Sequence, residues 1–217
     1  MSVLLSREIT SLKKKILQMT ALVEESVRKA ISAVRHKNEA LAEDVIQNDD
    51  HIDLVENELE EECLKILALH QPVAIDLRYV VVCMKINNDL ERIGDLAVNI
   101  ADRAKAISRD EDEFMPESIP KMIDVCISML KKSLDAFIEM DTSLAREVST
   151  MDDILDELNR SMYTEVKKLI MKEPKRTGYL LHVLGVSRQL ERIGDYAVNI
   201  SEDVIYMIDG KIVRHSK

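Results

Sequence analysis

The feature that constrains this chain most is an eleven-residue segment that occurs twice. Residues 90–100 read LERIGDLAVNI and residues 190–200 read LERIGDYAVNI, so only Leu96 and Tyr196 differ among the eleven positions. An internal match of this quality at a fixed offset indicates a duplicated structural unit. The chain should therefore fold as two related halves, and whatever the repeated segment does should be done twice.

The composition of the 217 residues favours helices. Only five glycines, four prolines and two phenylalanines occur and tryptophan is absent, which leaves little material for hairpin turns. Leucine, isoleucine, alanine, glutamate, lysine and methionine dominate, and all of them except isoleucine are among the most favourable residues in helices. With 46% apolar and 32% charged residues, the chain can bury a substantial core. We predict an all-α fold.

Apolar residues recur at steps of three and four along six segments, which is the pattern of amphipathic helices. The predicted helices span about 6–35, 39–70, 73–109, 120–140, 141–172 and 175–208. Asn38 and Asp141 stand where they can cap the second and fifth of them. Helices of about 30 residues are about 45 Å long, and short connections make neighbours antiparallel.

Two tandem three-helix-bundle repeats follow from this pattern. Residues 1–109 form the first repeat and residues 117–209 the second, joined by the acidic, proline-ended linker 110–116 and followed by a tail at 210–217. A single three-helix unit would leave one broad apolar face uncovered. The six long helices should therefore pack with the two halves side by side.

Charge and cysteine usage narrow the class of protein. A net charge of −10 argues against a nucleic-acid binder, which would need a basic face, but suits cations or a basic partner. Cys63, Cys83 and Cys126 are widely spaced, which predicts free thiols in a reducing compartment. Neither a signal peptide nor an apolar run near the roughly 18 residues of a membrane span is evident. The expected location is the cytoplasm.

The repeated segment carries oxygen ligands on the face opposite its core face. At about 100° per residue, Asp95 lies about 40° from Glu91, whereas Ile93 lies about 200° from it. The second helix of each half adds Asp-x-x-x-Asp, and Glu56 and Glu60 continue that stripe in the first half. The predicted metal ligands are Asp49, Asp53, Glu91, Asp95 and Asn99, and in the second half Asp152, Asp156, Glu191, Asp195 and Asn199.

A metal site explains this pattern better than a solvated face. An antiparallel helix pair would bring four carboxylates within a few ångströms, and their repulsion would be relieved by Mg²⁺, Mn²⁺ or iron. The carboxylates recur in both halves, whereas residues at solvated positions without a role can change in sequence after a duplication. Gly94 and Gly194 also stand in mid-helix, where each costs roughly 1 kcal/mol relative to alanine, which indicates a shared need such as the close approach of another backbone.

Catalytic motifs are missing from the sequence. Neither a phosphate-binding glycine loop nor GxSxG, HExxH or a Walker sequence occurs. We therefore expect an adaptor and not an enzyme. Two alternatives stay open: a carboxylate-bridged metalloenzyme, either phosphohydrolase or oxidase, and a helical adaptor without metal.

The two LERIGD segments, with QPVAIDLR at 71–78 before the first, resemble the PhoU family of bacterial phosphate-signalling regulators. The resemblance covers nearly the whole chain and implies two three-helix repeats, usually in a homodimer. It also implies negative control of phosphate uptake and of the phosphate-starvation response. The implied partners are a phosphate ABC transporter ATPase and a sensor histidine kinase, and membrane contact would occur through these partners only.

The resemblance also bears on cofactors. Family members carry E(D)xxxD motifs associated with surface-bound multinuclear iron or other metal ions, which here implies Fe, Mn, Mg or Zn. The matching pairs are Asp49/Asp53, Glu91/Asp95, Asp152/Asp156 and Glu191/Asp195. One element is not duplicated, because Arg176-Thr177-Gly178 stands where Asp76-Leu77-Arg78 stands in the first half. Any role of the Asp-Leu-Arg element is therefore single.

Overall fold

The computed structural model describes residues 3–110 and 114–211 as a helical protein. Its helices are α1 (Val3–His36), α2 (Glu39–Gln47), α3 (Asp49–His70), α4 (Ala74–Ser108), α5 (Ser118–Glu139), α6 (Thr142–Lys172) and α7 (Thr177–Asp209). A 3₁₀ turn at Pro174–Arg176 precedes α7, and no strand occurs within these residues. The predicted all-α fold is confirmed.

Side chains predicted to cap two helices do so. The side-chain oxygen of Asn38 accepts a hydrogen bond from the backbone N–H of Leu41 at 3.1 Å. Asp141 accepts from the backbone N–H of Ser143 at 2.7 Å at the start of α6. At the other end of the chain, Gly210 ends α7 with φ of 69°, a left-handed conformation that glycine adopts without strain.

The second predicted helix, 39–70, is interrupted at Asn48. The Asn48 side-chain amide donates to the carbonyl oxygen of Asp44 at 2.6 Å, and the Asn48 backbone N–H donates to the same oxygen at 3.1 Å. Such side-chain competition for backbone groups disfavours asparagine inside helices. Met151 occupies the corresponding position of α6, which is continuous. Asp49 therefore stands at a helix N-terminus, whereas Asp152 lies inside a helix.

The two halves lie side by side, as predicted, and meet mainly along α4 and α7. In the first half α1, α2 and α3 pack on α4, and in the second half α5 and α6 pack on α7. The apolar face of each repeated segment is buried, as Ile93 and Ile193 illustrate with no exposed surface. Across the seam, Lys85 Nζ lies 3.0 Å from Oδ1 of the buried Asp203. The repeated segments thus run through the centre of the molecule.

The glycines of the repeated segments are points of close helix contact. If Gly94 carried a Cβ atom, that atom would lie 3.3 Å from Ile52 Cδ1, and a Cβ atom on Gly194 would lie 2.5 Å from Leu155 Cδ2. The neighbour that approaches each glycine closely is therefore a side chain and not, as had been expected, another backbone. Ile52 and Leu155 each lie between the two aspartates of an Asp-x-x-x-Asp motif, so this packing sets which carboxylates face each other.

Two predicted boundaries fall partly on residues outside the described ones. Residues 111–113 of the predicted linker 110–116, and residues 212–217 of the predicted tail 210–217, are among them. The flanking helices end at Ser108 and begin at Ser118. The division into repeats at 1–109 and 117–209 stays a prediction.

Candidate metal centres

Helices α3 and α4 bring together the first acidic cluster, which we define as Asp49, Asp53, Glu91 and Asp95. A Cβ on Gly94 would lie 3.7 Å from Asp49 Oδ1, so Asp49 reaches the same crossing that Ile52 fills. Partial burial raises the pKa of Asp49 to about 6, and the charges of Asp53 and Asp95 add to the shift. Partial burial also raises the pKa of Glu91, with Asp95 and Asp53 contributing. The four carboxylates therefore act on one another between α3 and α4.

Helices α6 and α7 form the second acidic cluster, Asp152, Asp156, Glu191 and Asp195. Partial burial raises the pKa of Asp195 to about 6, with Glu191 and Asp156 adding to it. The pKa of Glu191 is likewise raised, first by burial and then by Asp156 and Asp152. The second half thus repeats the arrangement of the first.

Both clusters lie on outer faces of the bundle, as the helical wheel predicted. Asp53 and Asp195 are the more exposed of the eight carboxylates, and the other six are half-buried. The geometry differs from that of ferritin-like bundles, in which carboxylates point into the core. It suits ions held at a surface and not a substrate enclosed in a cavity.

The predicted amide ligands are placed less favourably. Asn99 is exposed, and its side-chain amide donates to the carbonyl oxygen of Asp95 at 2.8 Å, within its own helix. Asn199 occupies the matching turn of α7 and is half-buried. The structure places the carboxylates of each cluster on facing helices, but within the described residues no three of them converge on one point, although the sequence predicted that they would. The Asn99 amide is turned back onto α4.

A buried amide that was not predicted lies beside the first cluster. Asn87 is 2% exposed, and its Nδ2 donates to the Glu56 carbonyl oxygen at 2.9 Å, so the side chain crosses from α4 to α3. Its Oδ1 is buried without a hydrogen-bond partner. Asn87 precedes Glu91 by four residues, a spacing that could have identified it in the sequence.

The donor set fits a hard or borderline cation. The clusters offer carboxylate oxygens, the ligands preferred by Mg²⁺ and Mn²⁺ and accepted by iron. Asn87, one helical turn before Glu91, adds a buried acceptor oxygen. Within residues 3–110 and 114–211, no three His, Cys, Asp or Glu side chains already converge on one point. Binding a cation would therefore draw the carboxylates of two helices together.

The cysteines add no ligand near neutral pH. Cys63, Cys83 and Cys126 are free and buried. Burial raises the pKa of each thiol to about 12, whereas metal binding needs the thiolate.

The described part of the chain contains no helix that is both long and apolar enough to cross a bilayer.

Comparison with known proteins agrees with the repeat architecture. The family model described as "PhoU domain" matches the chain twice, at residues 16–104 and 119–204. The chain is 38% identical over 211 residues to the phosphate-specific transport system accessory protein PhoU homolog of Aquifex aeolicus, covering 97% of this chain and 96% of that protein. It is 36% identical over 206 residues to PhoU homolog 1 of Thermotoga maritima, covering 94% and 89%.

Solved structures share the fold. The crystal structure of PhoU from Pseudomonas aeruginosa superposes with a TM-score of 0.92 at 34% identity, covering 95% of this chain and 99% of that one. The phosphate transport system regulatory protein PhoU from Streptococcus pneumoniae gives 0.85 at 29% identity, with 96% and 99% covered. The double family match, the relatives over nearly full length and the common fold show that this chain belongs to the PhoU family.

Proposed function

We propose that this chain is a regulatory accessory protein of a phosphate-specific transport system that holds metal ions on its two acidic clusters. The observation that carries the proposal is the repeated carboxylate cluster at a glycine-packed helix crossing, in a chain whose relatives are named accessory proteins of that system. As a homodimer, it represses phosphate uptake and the phosphate-starvation response. It does so by coupling the transporter ATPase to a sensor histidine kinase.

The carboxylates would hold Fe, Mn, Mg or Zn in a structural and regulatory role. Asp49 and Asp53 supply oxygens from α3, and Glu91 and Asp95 supply them from α4. The positive charge of a bound ion would offset the mutual repulsion that helps to raise the pKa of Asp49. An ion bound by carboxylates of both helices would fix the position of α3 relative to α4. An ion in the second cluster would do the same for α6 and α7.

The surface that we assign to the transporter ATPase is the apolar connection between α3 and α4. Leu69, Val73 and Ile75 are 66%, 73% and 56% exposed there. Gln71 and Ala74 have φ of 42° and 49°, left-handed conformations that cost on the order of 1–3 kcal/mol each in residues other than glycine. Strain at an exposed apolar loop favours a role in binding, because neither the strain nor the exposure stabilises the isolated chain.

The matching connection of the second half is more polar, although Met171 is exposed at the end of α6. The segment between α6 and α7 is the 3₁₀ turn Pro174–Arg176, which carries two basic residues. The more apolar connection of the first half favours a docking partner at that end of the molecule. This agrees with the presence of the Asp-Leu-Arg element in the first half only.

Capture of the purified transporter ATPase from the same organism tests this assignment. Val73→Asp with Ile75→Asp should reduce capture at least tenfold, because two aspartates would have to be buried against an apolar partner. Met171→Asp is the matched control, since Met171 is 75% exposed and lies on the last turn of α6, at the opposite end. Unchanged capture by the double variant, with its helix content intact, would refute the docking surface.

The role of metal is tested in the same assay by adding a chelator at high and low phosphate. We expect capture to fall when the clusters are stripped of metal. Full capture and regulation after exhaustive chelation would favour the metal-free adaptor instead. Turnover of a phosphate monoester by the Mn²⁺-loaded protein would favour the metalloenzyme.

A further inference from the structure

The C-terminal half of α6 carries a basic surface. Lys167, Lys168 and Lys172 are exposed there, and Lys175 is exposed on the 3₁₀ turn that follows. None of these four lysines forms an ion pair or a side-chain hydrogen bond with a residue that the structure describes. We define the four lysines, with Met171 between them, as the basic face. Unpaired positive charge is thus concentrated here in a chain whose net charge is −10.

The acidic residues nearest to these lysines along the chain are engaged elsewhere. Glu165 accepts a hydrogen bond from Ser118 Oγ at 2.8 Å, at the start of α5. Glu173 Oε2 lies 2.8 Å from Arg176 Nε. Neither carboxylate is therefore paired with a lysine of the basic face.

The corresponding surface of α3 has a different charge. Positions of α6 correspond to positions of α3 at an offset of 103. The six exposed positions are Tyr163, Thr164, Lys167, Lys168, Met171 and Lys172 in α6, and Glu60, Glu61, Leu64, Lys65, Ala68 and Leu69 in α3. The second half thus has three lysines and no acid where the first half has one lysine and two glutamates. The duplication alone does not account for the basic face.

Exposed apolar and aromatic side chains accompany the lysines. Met171 is 75% exposed and Tyr163 is 46% exposed. On a helical wheel they lie about 40° to either side of Lys167. Phe114 is also exposed at this end of the molecule, with the Arg176 guanidinium 5.5 Å from its ring centroid. Lysines with exposed apolar groups among them are typical of helices that rest on an anionic bilayer, because the amines attract headgroups while the apolar groups enter the interface.

The type of base favours lipid over an acidic protein as the partner. Protein–protein interfaces are depleted in lysine and enriched in arginine. The arginine fork matches a fixed carboxylate, whereas the lysine amine is a point charge on a flexible stem, which suits mobile headgroups. The one arginine between positions 163 and 176 is Arg176, and it is already engaged with Glu173 and Phe114.

We propose that the basic face binds the anionic headgroups of a lipid bilayer. This direct contact goes beyond the proposed function and adds to the membrane contact through partners that the family resemblance implies. The second acidic cluster does not prevent it. Asp156 precedes Lys167 by eleven residues, which is about 16 Å along α6, and the Debye length at physiological salt is about 8 Å. The basic face is also remote from the connection between α3 and α4, so both surfaces can be occupied together.

Cosedimentation of the full-length protein with vesicles of equal parts phosphatidylglycerol and phosphatidylcholine tests the proposal. Chelator is present, so that no cation bridges an acidic cluster to the lipid. We expect binding that weakens with added salt and is absent with phosphatidylcholine alone. Lys167→Gln with Lys168→Gln and Lys172→Gln should weaken binding about 100-fold, because each lysine near an anionic bilayer contributes about fivefold.

A matched control removes the same charge from other exposed positions. Lys14→Gln with Lys65→Gln and Lys131→Gln should weaken binding at most about fivefold. Equal loss of binding in the two triple variants, both with wild-type helix content, would overturn the proposal.

A fluorescent probe tests whether the face itself meets the bilayer. The chain contains no tryptophan, so Met171→Trp introduces a single one. Its emission should shift to the blue with anionic vesicles, because the side chain enters the interface. Ala68→Trp, at the exposed counterpart in α3, should show no shift. No shift at position 171, or an equal shift at both positions, would contradict contact through this face.

The remaining outcomes separate this proposal from the proposed function. Absence of binding to anionic vesicles would overturn it, and binding to poly-glutamate but not to vesicles would indicate an acidic protein partner instead. Neither result bears on the proposed function, because these experiments use neither metal nor the transporter ATPase. Failure of ATPase capture or of metal binding would likewise leave the bilayer contact untouched.

Discussion

At the scale of single residues, the cluster carboxylates are destabilising in the absence of a cation. The pKa values of Asp49 and Asp195 are raised to about 6, first by partial burial and then by neighbouring carboxylates. The folded chain therefore binds these protons more tightly than the unfolded chain does. The protonated forms of Asp49 and Asp195 therefore favour the folded state. Their contribution to the free energy of unfolding is complete below a pH of about 4 and is lost as the pH rises through about 6.

Replacement of both groups by asparagine should remove this penalty. We expect Asp49→Asn with Asp195→Asn to raise the melting temperature of the metal-free protein at pH 8, where wild-type carboxylates are charged. The difference from wild type should shrink as the pH falls from 7 to 4, because the wild-type groups then become neutral in the folded state. Thermal unfolding in the presence of chelator measures it. A variant less stable than wild type at pH 8 would contradict the expected sign.

The sequence predicted which carboxylates share a face, but not what every polar neighbour does. The helical wheel placed Glu91 and Asp95 opposite Ile93 because the angle between residues of one helix is fixed by helix geometry. It could not show that the Asn99 amide bonds to its own helix, because that depends on a local side-chain choice. The role of Asn87 depends on the contact between α3 and α4, which one helix alone does not determine.

At the scale of helices, a glycine opposite a branched side chain sets each crossing. Ile52 meets Gly94 and Leu155 meets Gly194, and in both halves the branched residue lies between two cluster aspartates. A larger residue in place of glycine would push the two helices apart. The position of the carboxylates therefore depends on a residue that contributes no ligand.

The two glycines should respond differently to alanine. A Cβ on Gly194 would lie 2.5 Å from Leu155 Cδ2, which is closer than two carbon atoms that are not bonded can approach. A Cβ on Gly94 would lie 3.3 Å from Ile52 Cδ1, which is a tight contact. Alanine gains about 1 kcal/mol of helix propensity at both positions, and overpacking costs about 1–3 kcal/mol. In urea unfolding of metal-free protein, Gly194→Ala should be less stable than Gly94→Ala by about 1–3 kcal/mol. Equal stability of the two variants would contradict this account.

Helix existence and type were predictable, whereas one interruption was not. Apolar spacing is a local signal, so the long helices and the caps at Asn38 and Asp141 followed from the sequence. The break at Asn48 was not predicted, because the apolar pattern continues across it in phase. It arises from competition for the Asp44 carbonyl oxygen, and the continuous α6 at Met151 shows that the repeat alone does not require it.

At the scale of the whole molecule, the seam between α4 and α7 joins two halves that carry their acidic clusters on outer faces. The duplication predicted two halves packed side by side. It did not identify the helices at the seam or the pairing of Lys85 with Asp203, because these depend on contacts between distant parts of the chain.

The central claim is that both clusters hold metal, and elemental analysis of purified protein tests it most directly. Asp95→Ala with Asp195→Ala removes one carboxylate from each cluster. Glu61→Ala with Glu139→Ala, at two exposed positions, is a control with the same change in net charge. We expect metal in the wild-type and control proteins, and metal at background in the Asp95/Asp195 variant with its helical circular dichroism unchanged. Unchanged metal content in that variant would contradict the claim.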